Sequence, residues 1–235
     1  MKIIWPDNIT AVAASSEASN YEAEMVLNQW PGAVWKANAT TSQTLTITTT
    51  APDAIHLGYT NFNGTLAYTT KNSGGGTVAS GNLTANGSIG AYHYWYEPPS
   101  PETITSVVFT FPAVTTAAQV GIVRAGTLVE ISNPKYGMVD GIEDYSVEAE
   151  LNSGGIYTID RGVARVVSGE ILTTRNSNGT DPLVSLAASI KSQAFSVMLI
   201  DDPEEILLAR FDGRPEASRD YPLYNMVSFA LREAI

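Results

Sequence analysis

Residues 11–47 read AVAASSEASNYEAEMVLNQWPGAVWKANATTSQTLTI, and their reading decides the fold. Small and hydroxyl residues lead into a Tyr21-Glu-Ala-Glu turn, then an Asn28-Gln-Trp-Pro-Gly corner, Trp35, and an alternating segment in which Leu45 and Ile47 share one face. Period-2 alternation marks a half-buried strand. Two tryptophans in so small and polar a neighbourhood have two readings. One stacks an indole on a sugar face. The other puts Trp35 in the core beside the first long strand and makes Trp30-Pro31-Gly32 a corner. Buried indoles contribute large area and need one partner for the N–H, which favours the core for Trp35.

Outward from this stretch the first half continues in short strands. AIHLGYTNF (54–62) is continuously apolar, as a central strand is, and GTLAYTT (64–70) and GTVASGNLTA (76–85) flank the turn KNSGGG. SVVFTF (106–111) alternates again, and AAQVGIVRAG (117–126) follows. Short strands at this spacing with Gly and Asn turns predict a β-sandwich or barrel. The second half holds one convincing helix, DPLVSLAASIKSQ, in which Leu183, Leu186, Ala187 and Ile190 form an apolar stripe. Asp181 is read as its N-cap and Pro182 as its first residue. Around it YSVEAEL, GIYTIDRG, VARVVSGEIL, AFSVMLID, ILLARFDG and YNMVSFALREAI read as strands, with NSGG (152–155) as a hairpin turn. The expected class is all-β: a jelly-roll β-sandwich over 1–124, then a β-barrel or sandwich over 125–235 with a helix about 181–194.

Thirteen basic against 24 acidic residues give a net charge of −11 in 235 residues. A body of that sign repels phosphate backbones, so no nucleic-acid partner is expected. The chain has no Cys and two histidines, His56 and His93. Disulfides, thiol nucleophiles and most zinc sites fall away, and neither a metal nor a cofactor is expected. The start MKIIWPDNIT reads as neither signal peptide nor anchor, and no stretch approaches the ~20 apolar residues of a membrane helix. A soluble protein of a reducing compartment is the expectation.

The opening stretch resembles the start of galactose-binding-like (discoidin-type) jelly-roll domains, through Ala14, Ser15, Ser16, Tyr21, Ala23, Leu27 and Trp35. Met25, Val26 and Gln29 depart from the family pattern, which has an Asn-Val or Asn-Leu pair and an Asp there. The later stretch GIVRAGTLVEISNPKYGMVDGIEDYSVEAELNSGGIYTIDRG resembles tailed-bacteriophage virion structural proteins of the distal tail or baseplate type. Gly121, Ala125, Gly126, Tyr136, Gly137, Gly141, Ile142, Glu143, Asp144, Ser146, Gly154 and Gly155 carry that likeness. The resemblance implies a non-enzymatic tail-tip component, assembled in the host bacterial cytoplasm, partnered by copies of itself in a ring and by other tail proteins. The alternative is a lectin-like module recognising host-surface glycans.

The ligand or interface candidates are Tyr92, His93, Tyr94, Trp95 and Tyr96, five rings in succession, with Trp30 beside them. In an extended chain both faces of this segment are aromatic, so one face is expected to be exposed or to meet another surface. A carbohydrate platform and a subunit contact are the two readings, the contact being favoured in a repeating particle. The acidic clusters Asp140, Glu143, Asp144 and Asp201, Asp202, Glu204, Glu205 lack the 1-3-5 spacing of a calcium loop and read as turns. Arg161, Arg165, Arg175, Arg210, Arg214, Arg219 and Arg232 concentrate positive charge late in the chain, where each reads as a solvated surface group. No nucleophile elbow, phosphate loop or His-Glu-x-x-His motif occurs, and no catalysis is expected.

Overall fold

The computed structural model describes residues 1–88, 91–134, 137–150, 156–159, 163–174, 181–200, 205–218 and 224–234. Among them the strands are β1 (Lys2–Asp7), β2 (Ile9–Ala14), β3 (Trp35–Lys36), β4 (Gln43–Thr49), β5 (Ala54–Thr60), β6 (Thr65–Lys71), β7 (Thr77–Thr84), β8 (Asn86–Ser88), β9 (Ala91–Tyr96) and β10 (Ser106–Phe111). They continue as β11 (Gln119–Val120), β12 (Ile122–Glu130), β13 (Val139–Asp144), β14 (Val147–Glu150), β15 (Ile156–Ile159) and β16 (Val163–Thr174). Helix α1 (Pro182–Ile190) precedes β17 (Phe195–Met198), β18 (Ile206–Phe211), β19 (Glu216–Ser218) and β20 (Tyr224–Glu233). The chain is all-β with one α-helix among the described residues.

Two compact units divide the chain. The first is Met1–Asn133 with Gln193–Leu208; the second is Pro134–Ser192 with Ala209–Ile235. A single cut at 124/125 differs from this division. β12 runs unbroken across that point from Ile122 to Glu130, and residues 193–208 return to the first unit.

The first unit is a sandwich. One sheet, in the order β2-β4-β10-β6-β7, is antiparallel and alternates strictly: Leu45 and Ile47 of β4 and Val107, Phe109 and Phe111 of β10 point inward and are buried. Cross-strand pairs Val107–Ile47 and Phe109–Leu45 set its register. The facing sheet runs β18-β17-β1-β12-β5-β9-β8. Ile55 and Leu57 of β5, Tyr94 and Tyr96 of β9, and Val123 and Ala125 of β12 complete the core between them. Unlike β4, β5 is buried nearly throughout, because the outer face of its sheet is covered as well. Ile3, Ile122, Phe195, Val197 and Leu207 are all buried without belonging to the sandwich core. The KNSGGG turn is closed by Asn72, whose Oδ1 accepts from the Gly74 and Gly76 N–H groups.

In the second unit β16 pairs with β13 and with β20, and Ala209–Phe211 of β18 also pair with β20. Val167 faces Leu231 and Ile171 faces Val227, all four buried. β14 and β15 pair across the expected NSGG hairpin, whose turn residues lie outside the described ones. Helix α1 begins where the sequence places it: Asp181 Oδ1 accepts from Leu183 N at 2.8 Å, Pro182 occupies the first turn, and Leu183, Leu186 and Ile190 are buried. It ends at Ile190, earlier than 194, because Lys191 turns to φ 58°. The other Asp181 oxygen takes the Thr173 hydroxyl of β16, tying the helix start to the sheet.

Two substitutions test this architecture. Asp181→Ala removes a cap and a buried acceptor and is expected to cost about 1–2 kcal/mol in chemical denaturation. Gly126→Ala would put a methyl group on the Pro6 carbonyl oxygen of the neighbouring strand. It should prevent native β1–β12 pairing, seen as loss of the amide signature of β1 in NMR.

Candidate functional site

The five-ring segment forms β9, and strand alternation splits it. Tyr94 and Tyr96 enter the sandwich core, where the Tyr94 hydroxyl lies 2.8 and 2.9 Å from the Phe62 and Gly64 carbonyl oxygens. Burial pushes both phenols above their usual range. Tyr92 is half-buried. His93 and Trp95 point to the opposite face. That face is not laid open: His93 is buried between His56 and the edge of Tyr59, and Trp95 is half-buried. Trp95 Nε1 donates to Glu97 Oε1 at 2.8 Å, and Glu97 pairs with Lys2 at 2.9 Å. The sequence expects one aromatic face to be exposed or to meet another surface; here His93 packs within the protein against His56 and Tyr59, and His56 meets Ser196 of β17.

His56 is the middle of a polar chain. His56 Nδ1 is 2.6 Å from Ser196 Oγ, and His56 Nε2 is 2.9 Å from His93 Nδ1. Gly58 leaves room for both rings, since a Cβ there would meet each of them within 2.8 Å. Arg124 stands opposite His56 in the β5–β12 ladder and is itself buried. Its Nη1 donates to Val123 O at 2.7 Å and Val26 O at 3.4 Å, its Nη2 donates to Asn28 O at 2.5 Å, and its Nε lies 3.8 Å from Asp7. Burial holds the His93 imidazole at about 4. Burial, then His93, then Arg124 hold His56 well below its usual range. A serine hydroxyl on a histidine is the geometry of an activated nucleophile. Here both partners are fully enclosed, and the pair joins β5 to β17.

The tryptophans of the opening stretch separate. Trp35 is fully buried on β3 against Phe111, with Nε1 donating to Ser16 O at 3.1 Å. Trp30 is 55% exposed. Its ring lies against Gly32, where a Cβ would collide with it, so the corner itself holds the indole with one side toward solvent. Two anchors reach down from this corner: Gln29 Oε1 accepts from Ala194 N at 2.6 Å, and Asn28 O accepts from Arg124. Nearby in sequence, Tyr21 is exposed with Lys36 Nζ 5.8 Å above its ring. A shallow groove of about 610 Å³ between β2 and the Ala23–Leu27 turn is lined by Val12, Ser16, Glu17, Glu22 and Glu24.

The acidic clusters serve the local structure where they are described. Asp140 binds Arg165, Glu143 meets Arg232 at 3.0 Å, and Asp144 accepts from Ser146 N. Asp201, Asp202, Glu204, Arg161, Arg175 and Arg219 lie outside the described residues, as does Tyr136. No group of three His, Asp or Glu side chains able to hold a metal occurs among the described residues. Sequence reasoning named His93 and Trp30 but missed His56, Arg124, Ser196 and Gln29. The available signal was a histidine and an arginine inside apolar strand runs.

No protein-family profile and no curated protein matches the chain. Among solved structures it is similar to a fucose-binding module of Streptococcus pneumoniae, at 11% identity and a TM-score of 0.42, over 50% of this chain and 93% of that one. It is also similar to the lectin domain of lectinolysin, solved with Lewis B antigen, at 13% identity and 0.40, over 49% and 90%. A chitosan-binding module from a Paenibacillus chitosanase/glucanase gives 12% and 0.39, over 51% and 98%. At this level of likeness none of them assigns a ligand to this chain.

The two tryptophans should respond oppositely to truncation. Trp35→Ala is expected to lose about 3–5 kcal/mol, enough to unfold the first unit, while Trp30→Ala stays within about 0.5 kcal/mol of the parent in thermal denaturation.

Proposed function

We propose that the chain is a non-catalytic binding protein whose first unit recognises carbohydrate at the Trp30 corner. The carrying observation is the solvent-facing indole lying against Gly32. A sugar ring offers an apolar face of C–H groups to such a plane, and the indole N–H and nearby polar groups can orient its hydroxyls. The Gly32 backing and the Gln29 and Asn28 anchors keep the plane in place before a ligand arrives, which lowers the cost of ordering it. The galactose-binding-like resemblance of residues 9–124 and the sugar-binding modules named above accord with this reading. On it, Trp30→Ala abolishes binding on a glycan array while leaving the fold intact. Gly32→Ala, which displaces the ring, weakens binding at least tenfold by calorimetry. Equal binding by parent and both variants would overturn the assignment.

A second reading, a structural component of a bacteriophage tail tip within the virion, rests on a different observation. Ile142, 78% exposed, and Val163, also exposed, lie on the same face of β13 and β16, at the described edge of the sheet. Exposed apolar residues on a strand edge favour association between chains. In this reading copies of the chain and other tail proteins cover them. Ile142→Asp is expected to reduce self-association in light scattering, and a parent protein that is monomeric at all concentrations and missing from purified particles would sink it.

A further inference from the structure

The Ser196–His56–His93 chain is linked to the Trp30 corner through its neighbours, Arg124, which donates to Asn28 O, and Ala194, which donates to Gln29 Oε1. The groups around it come from four strands. β5 supplies His56 and Tyr59, β9 supplies His93 and Trp95, β12 supplies Arg124, and β17 supplies Ser196. Asp7 is the carboxylate beside Arg124; Glu97, on the Trp95 indole, pairs with Lys2. Arg124, opposite His56 in the β5–β12 ladder, brings a buried positive charge beside it, and the side-chain hydrogen-bond partners of His56 among the described residues are a hydroxyl and a second imidazole.

Proton accounting limits what this chain can hold. With both imidazoles neutral, one proton occupies the His56–His93 bond and one occupies the His56–Ser196 bond. A first added proton still allows His56 to donate from both nitrogens. A second leaves two N–H groups facing each other across 2.9 Å, two like charges beside Arg124. Relief comes from admitting water to the enclosed pair. The strand that closes its Ser196 end is β17, a member of the same sheet paired with β1, and it follows directly on Ala194, the anchor of Gln29.

We propose that this buried chain is an acid-release lock: proton uptake by the His56–His93 pair loosens β17 and, through Gln29 and Arg124, frees the Trp30 corner. As a regulator of ligand binding it rests on the carbohydrate reading; as a conformational device it does not. The sign follows from the histidines. In the closed form they resist protonation, His93 to about 4, whereas an opened form titrates near 6.5. Between those values the open form binds more protons, so the closed form loses stability as pH falls and is unaffected above about 7.

Hydrogen exchange of the full chain between pH 7.5 and 5, corrected for intrinsic amide rates, reads the lock directly. Below about pH 6.5 the opening equilibrium of residues 194–198 and 28–30 should rise about tenfold per pH unit for one proton, and toward a hundredfold for two, with no change above about 7. β4 and β10, in the opposite sheet, should hold their protection. Protection of 194–198 that does not change with pH, or exchange that rises equally across the whole unit, overturns the proposal. His93→Gln keeps a donor toward His56 and should cut the response to one proton; an undiminished slope in a folded variant also overturns it, and the parent measurement decides the matter if that variant does not fold. In parallel, array glycans bound at pH 7.5 should bind at least tenfold more weakly at pH 5.5. Absence of glycan binding at both values removes the carbohydrate reading alone, because the lock is read from exchange.

Discussion

Burial of one sheet on both faces is the constraint from which the first unit follows. β5 and β12 turn Ile55, Leu57, Val123 and Ala125 into the sandwich core, and turn His56 and Arg124 the other way. A histidine and a guanidinium cannot be enclosed without partners, since an unpaired buried polar group costs on the order of 1–3 kcal/mol and a charge more. The chain meets this demand with Ser196, His93, Asp7 and the carbonyl oxygens of Val26 and Asn28. One of those partners, Ser196, lies 140 residues from His56 in sequence, within the Gln193–Leu208 segment that returns to the first unit.

The same network gives the exposed corner its stiffness. Asn28, Gln29 and Pro31 surround Trp30 and are held by Arg124, Ala194 and the close approach of Gly121. A solvent-facing indole on a loop would ordinarily sample several rotamers; here the backbone on either side is tied to buried groups, and the ring rests on Gly32. Polar groups placed for stability therefore also shape a surface, through the Arg124–Asn28 and Ala194–Gln29 hydrogen bonds.

The first unit holds a buried cation, Arg124, with an incompletely buried carboxylate, Asp7, besides the surface pair Lys2–Glu97. In the second, Arg165 is met at the surface by Asp140, and Arg232 by Glu143 and Asp212. Surface pairs of this kind contribute little to stability and are screened by salt. Ile142 and Val163 stand beside them as protruding apolar groups on one face of the β13 edge.

The linear sequence by itself determined the class and most elements. Period-2 patterns at 43–49 and 106–111 could only bury one face as strands, Asp181-Pro182 could only start a helix, and Trp35 beside the first long strand belonged inside. These features are local, so neighbouring residues suffice to read them. Tertiary structure alone decided which sheet each late strand joins, that β9 is covered on its second face, and that Trp30 rather than Tyr94 meets solvent. An apolar run such as Phe195–Met198 states that it will be buried on both sides but not against what, because β1 on one edge and the His56 side chain lie more than a hundred residues away and are chosen by fit and by the polar groups left to satisfy.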